Sequence, residues 1–167
     1  MKRSIAGLVL GLATVTASAA QPGYYLGGGL GAWQIDESGF DDTALALRVQ
    51  GGYRFNDYLS VDGTLLYGDE LEDSGLKIDG TGFELALRPS VPIGDAFEAY
   101  ARLGYGWYDF DAGGAFNASG SEDEFVWGLG GAWQANNRWS FSVEYTEPDF
   151  EAETRFLWFG ATYRLGL

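Results

Sequence analysis

Arg155-Phe-Leu-Trp-Phe-Gly-Ala-Thr-Tyr-Arg-Leu-Gly-Leu167 separates into two sets when read in steps of two. Leu157, Phe159, Ala161, Tyr163, Leu165 and Leu167 form one set, and Phe156, Trp158, Gly160, Thr162, Arg164 and Gly166 the other. Successive side chains of a β-strand point to opposite faces, so this period of two predicts a strand with one unbroken apolar face and one mixed face. An apolar face of that length needs an apolar surrounding. For strands closed into a barrel, the hydrocarbon of a bilayer supplies it.

Working backwards, the same alternation recurs between turn signals. Seven further strands are predicted, at 24–34, 43–55, 58–67, 81–88, 97–108, 125–134 and 139–146. Thr43 to Phe55 is the clearest, with Leu45, Leu47, Val49, Tyr53 and Phe55 opposing Arg48, Gln50 and Arg54. The connections alternate between tight and long. Asn56-Asp57, Pro89 to Asp95 and Asn136-Asn137 are short, whereas 35–42, 68–79, 109–124 and 147–154 read as polar loops. The fold class expected is therefore all-β, an eight-stranded antiparallel up-and-down transmembrane β-barrel. Aromatic residues cluster at both strand ends: Phe55, Tyr58, Phe97, Trp133 and Trp139 by the short turns, Tyr67, Trp107, Phe125 and Tyr145 by the long loops. Amphipathic rings favour the two membrane interfaces. A soluble barrel would invert the pattern, but the faces opposite the large apolar ones carry Gly, Ser, Thr and charges, too small and polar for a dry core.

The N-terminus sets the destination. Met1-Lys2-Arg3, an apolar run from Ile5 to Val15 and Ala17-Ser18-Ala19-Ala20 have the layout of a secretory signal peptide, with residues 1–20 removed and the barrel domain spanning 21–167. The alternative, a membrane anchor, is too short to cross the bilayer as a helix. Losing Lys2 and Arg3 moves the formal charge from −14 to −16. So acidic a chain repels phosphodiester backbones, which argues against nucleic-acid partners. Without cysteine there is no disulfide framework, and without histidine the usual general base and the commonest zinc ligand are missing. No catalytic residue, cofactor site or metal centre is expected, and the chain does not read as an enzyme. Gly27-x-Gly29-x-Gly31 lies within a strand with no helix after it, which removes the phosphate-loop reading.

Tyr25-Leu26-Gly27-Gly28-Gly29-Leu30-Gly31, Leu59-Ser60-Val61-Asp62-Gly63, Tyr100-Ala101-Arg102-Leu103-Gly104-Tyr105-Gly106 and Tyr163-Arg164-Leu165-Gly166-Leu167 occur in an order and spacing that resembles the small outer-membrane β-barrels of Gram-negative bacteria. These are the barrels formed by the transmembrane domain of outer-membrane protein A and related adhesins, and the likeness covers 21–167. The resemblance implies residence in the cell outer membrane among lipid and lipopolysaccharide. It also implies an assembly signal in the last strand, carried by Phe159, Tyr163, Leu165 and Leu167 and read by the barrel-assembly machinery. Family members usually end in Phe, where this chain has Leu167. The chain ends at the barrel, so the wall-binding domain of some relatives is not expected.

The faces turned from lipid carry Arg48, Asp62, Glu84, Arg88, Glu98, Arg102, Glu144 and Arg164. Charges in a barrel lumen must be paired or hydrated, so an internal ion-pair network is expected, serving as a plug or, alternatively, as the gate of a small cation-preferring pore. The glycines at 27, 29, 31, 104, 106, 128 and 130 share that face and make room for bulky neighbours such as Trp33, Tyr100 and Tyr108, or else for a thread of water. Most of the 24 acids fall in the long loops, where they keep the surface solvated or bind divalent cations through hard oxygen ligands. The expectation is a monomer with a structural and surface-interaction role in the envelope.

Overall fold

The structure, a computed structural model, describes residues 22–37, 40–73, 76–113, 118–149 and 153–166. The expected signal peptide and the last residue, Leu167, lie outside them. Eight strands are present: β1 Gly23–Glu37, β2 Phe40–Asn56, β3 Leu59–Asp73, β4 Leu76–Ile93, β5 Phe97–Gly113, β6 Ala118–Gln134, β7 Trp139–Pro148 and β8 Glu153–Arg164. Each pairs antiparallel with its neighbours in sequence, and β1 pairs with β8 to close the barrel. The terminal stretch does this work, with Tyr25 opposite Arg164 and Asp36 opposite Glu153. Closure leaves no edge strand in the barrel wall, while the hairpin extensions beyond it pair on one side only, as Ala118–Phe125 of β6 does with β5.

Two expectations are corrected. The four long connections are largely strand: β1 and β2 stay paired from Gly23 and Arg54 out to Glu37 and Phe40, and β5 and β6 out to Ala112 and Ala118. Strands β1 to β6 are 15 to 18 residues long, whereas about 9–11 residues suffice to cross a bilayer. The reason is that a ladder is held by backbone hydrogen bonds, which need no apolar side chains. Beyond the membrane the pairing continues while the alternation that reveals it disappears. The Pro89 to Asp95 connection is also shorter than expected. Pro89 and Pro92 belong to β4, and the turn reduces to Gly94, Asp95 and Ala96, with Gly94 at a φ of 65° that favours glycine. The register of β4 on β5 is unchanged across Arg88 and Pro89, where the ladder is interrupted because proline has no N–H to donate.

The other two short turns are built by asparagine. Asn56 Oδ1 accepts from the Tyr58 N–H at 2.8 Å, and Asn136 Oδ1 accepts from the N–H groups of Arg138 and Trp139 at 2.9 Å each. The outer wall is the apolar band expected from the alternation: Leu47, Val49, Leu65, Leu85, Leu103, Leu129, Val143 and Phe159 are all exposed. Rings at the short-turn rim pack on one another, as Trp139 and Tyr163 do edge-on with centroids 5.0 Å apart. The polar faces are inside, which rules out the inverted, soluble arrangement.

Candidate functional site

The lumen is organised in three levels. At mid-height, Arg48 of β2 reaches across to Glu144 of β7 in a buried ion pair. Beside it, Arg102 of β5 places Nη1 2.7 Å from Asp62 Oδ1 and Nη2 3.0 Å from Glu84 Oε2, and Nη2 also donates to Thr64 Oγ1 at 2.8 Å. The carboxylates are completed by tyrosines. Tyr25 donates to Asp62 Oδ2 at 3.2 Å, and Tyr108 to Glu84 Oε1 at 2.7 Å. Arg102 is 1% exposed and Asp62 2%. Taking five charged groups out of water costs several kcal/mol per ion, on the order of what close pairing and further hydrogen bonds recover.

Towards the long-loop end the lumen is filled by rings. Trp158, 1% exposed, donates from Nε1 to Thr146 Oγ1 at 3.0 Å and stacks on Phe156 with centroids 5.5 Å apart and planes 8° from parallel. The Arg48 guanidinium carbon lies 4.9 Å from the Trp158 ring centre, joining the two levels by a cation–π contact. Glycines opposite these rings provide the space. A Cβ on Gly31 would come within 2.4 Å of Trp158, and one on Gly106 within 2.5 Å of the Tyr108 hydroxyl. Tyr100 is received in the same way by Gly130.

Towards the short turns the lumen opens. Glu98 is shared by two guanidinia: Arg88, whose Nη2 is 3.3 Å from Oε1, and Arg54, which pairs with Oε2. Arg88 also lies over the Tyr100 ring, 3.7 Å from its centre. Arg164 lines a hollow with Arg54, Arg88 and Glu98.

Of the eight charged residues singled out in sequence, the structure joins Arg48 with Glu144, Arg102 with Asp62 and Glu84, and Arg88 with Glu98. Arg164 forms no ion pair among the described residues, although it lines the same space as Asp57, Asp95 and Glu98. Arg54 was not among them, although it shares the parity of Arg48 on the same strand. Trp158, Tyr25 and Tyr108 also complete the network, and inward parity was the signal that pointed to each. Trp33, expected to fill the lumen, lies outside the described side chains. Of the expected assembly-signal residues, Phe159 and Leu165 face outward and exposed, Tyr163 packs on Trp139 at the rim, and Leu167 is outside the described residues. Most of the loop acids fall outside the described side chains. Among the described residues no group of three or more His, Cys, Asp or Glu is placed to hold a metal ion.

The profile of the outer membrane protein beta-barrel domain matches residues 5–164. No curated protein sequence matches the chain. Among solved structures it is similar to Ail, the attachment invasion locus protein of Yersinia pestis, at 17% identity and a TM-score of 0.66, over 86% of this chain and 99% of that one. Ail has also been solved in complex with the heparin analogue sucrose octasulfate. Neisserial surface protein A superposes at a TM-score of 0.74 with 11% identity, over 89% of this chain and 99% of that one. The N-terminal β-barrel domain of Pseudomonas aeruginosa OprF superposes at 0.60 with 13% identity, over 87% and 100%.

Proposed function

We propose that this chain, which belongs to the outer membrane protein beta-barrel domain family and resides in the cell outer membrane, serves the envelope as a closed barrel with a structural and surface-interaction role. The observation that carries this reading is the middle of the lumen. The Arg48–Glu144 pair, the Arg102–Asp62–Glu84 cluster and the Trp158 ring above them lie across the path that a solute would take. Eight strands enclose a space that side chains can fill, and this buried set supports that reading.

The short turns then face the periplasm and the extended hairpins the outside, as in barrels of this class. Of the acids on the outer hairpins, Asp109, Asp123 and Asp149 are exposed. A surface of that sign repels sulfated or phosphorylated sugars, so contact with lipopolysaccharide phosphates would run through divalent cations held between carboxylate and phosphate oxygens. The ligand of the Yersinia relative is therefore not carried over. Assembly through the last strand and a monomeric state complete the reading.

Planar-bilayer recording of the refolded protein, its folding checked by heat-sensitive gel mobility, tests the closed barrel. Silence supports it. Discrete cation-preferring steps, altered by Glu84→Gln or Arg102→Ala, would replace it with a small pore gated by the central network.

A further inference from the structure

The chain carries a formal charge of −14 with ten basic residues, yet four of those ten line one hollow at the short-turn end of the lumen. They are Arg54 of β2, Arg88 of β4, Arg138 of the β6–β7 turn and Arg164 of β8, and the one carboxylate lining the same space is Glu98. Glu98 already serves Arg54 and Arg88 together. Arg138 donates from Nη1 to the Tyr163 hydroxyl at 3.1 Å, a neutral partner. The guanidinium of Arg164, on the inward face of β8, has no acceptor among the described residues. An adjoining hollow over the β4–β5 turn shares Arg54, Arg164 and Glu98 with the first and adds two carboxylates, Asp57 and Asp95. Over the two hollows together four arginines face three carboxylates, and the excess lies on the side of the first, where Arg88 and Arg138 join the wall and Ser60, Ser140 and Thr162 supply hydroxyl groups.

A half-enclosed group of cations with too few anions lowers its energy by taking one up. Guanidinium forks and hydroxyls are the donors that fit a tetrahedral oxyanion. We infer that this hollow is a binding site for a phosphate group, with Arg164 as its principal ligand and Arg54 and Arg88 as shared ones. The phosphate can belong to a free anion or to the headgroup of an anionic phospholipid at the same membrane face. The inference stands on the hollow itself and does not depend on whether the centre of the barrel conducts.

Two titrations test it on the refolded protein. Inorganic phosphate is added to protein in neutral detergent micelles and followed by calorimetry. In parallel, thermal unfolding is followed by gel mobility in phosphatidylcholine nanodiscs with and without phosphatidylglycerol. Saturable phosphate binding, about tenfold weaker in Arg164→Gln as expected for loss of a charge-assisted hydrogen bond, assigns a free anion. Stabilisation by phosphatidylglycerol that Arg164→Gln abolishes, without binding of inorganic phosphate, assigns a headgroup. Glu98→Gln removes the competing carboxylate and tightens binding in whichever arm is positive, which keeps the test decisive if Arg164→Gln does not fold. No saturable response in either arm, or a response indifferent to both substitutions, overturns the site.

Discussion

The middle of the lumen and its short-turn mouth are built from the same residue types and handle charge differently. In the middle, Arg48 and Arg102 face Glu144, Asp62 and Glu84, all nearly sealed from solvent, and Tyr25, Tyr108 and Thr64 are recruited as additional partners. At the mouth, Arg54 and Arg88 share Glu98 while Arg164 forms no ion pair among the described residues, and the side chains of Arg54 and Glu98 are each 17% exposed. A guanidinium without water must find fixed acceptors, whereas one at a wet rim can be solvated. Burial thus forces stoichiometry in the centre, and solvent lets an imbalance persist at the end. That imbalance is the ground for the anion site proposed at the mouth.

Substitutions can break this contrast. The largest effect is expected from Arg102→Ala, which leaves Asp62 and Glu84 buried without their cation; breaking a buried pair in this way costs roughly 3–5 kcal/mol. Urea unfolding in lipid vesicles should register it, and a loss below 1 kcal/mol would mean that the centre is as hydrated as the mouth. Next is Leu129→Arg, which puts the same guanidinium on the lipid wall and should cost roughly 2–4 kcal/mol if that residue sits near the bilayer midplane. Gly31→Ala sharpens the packing side of the comparison. Its Cβ would overlap the Trp158 ring, and overpacking of this kind costs about 1–3 kcal/mol; an unchanged unfolding midpoint would show that the ring level yields freely. The smallest change is expected for Arg54→Gln, about 0–1 kcal/mol, because Glu98 keeps Arg88 and the group is partly solvated. A penalty equal to that of Arg102→Ala would erase the distinction between the two levels.

Parity alone is what places the lumen residues on one face in the sequence. Arg48, Glu84, Arg102 and Glu144 fall on inward positions at matching depth, and they meet as two pairs. Parity fails where partner choice depends on reach across the barrel. Nothing in the alternation of β3 says that Asp62 shares Arg102 with Glu84, or that Tyr25 and Tyr108 complete the two carboxylates. The hairpin extensions were missed for another reason: their polar residues carry no alternation, and the backbone ladder that holds them leaves no mark on side-chain pattern.

By itself the sequence determined the number of strands, their inward and outward faces, the two asparagine turns and the membrane as surroundings, because each follows from local periodicity and turn chemistry. Only the tertiary structure decided which charges are satisfied, how far the hairpins extend, where Trp158 packs in the lumen and that Arg164 forms no ion pair at its mouth. Those outcomes depend on barrel closure and strand stagger, which bring residues about a hundred positions apart, such as Arg48 and Glu144, into contact.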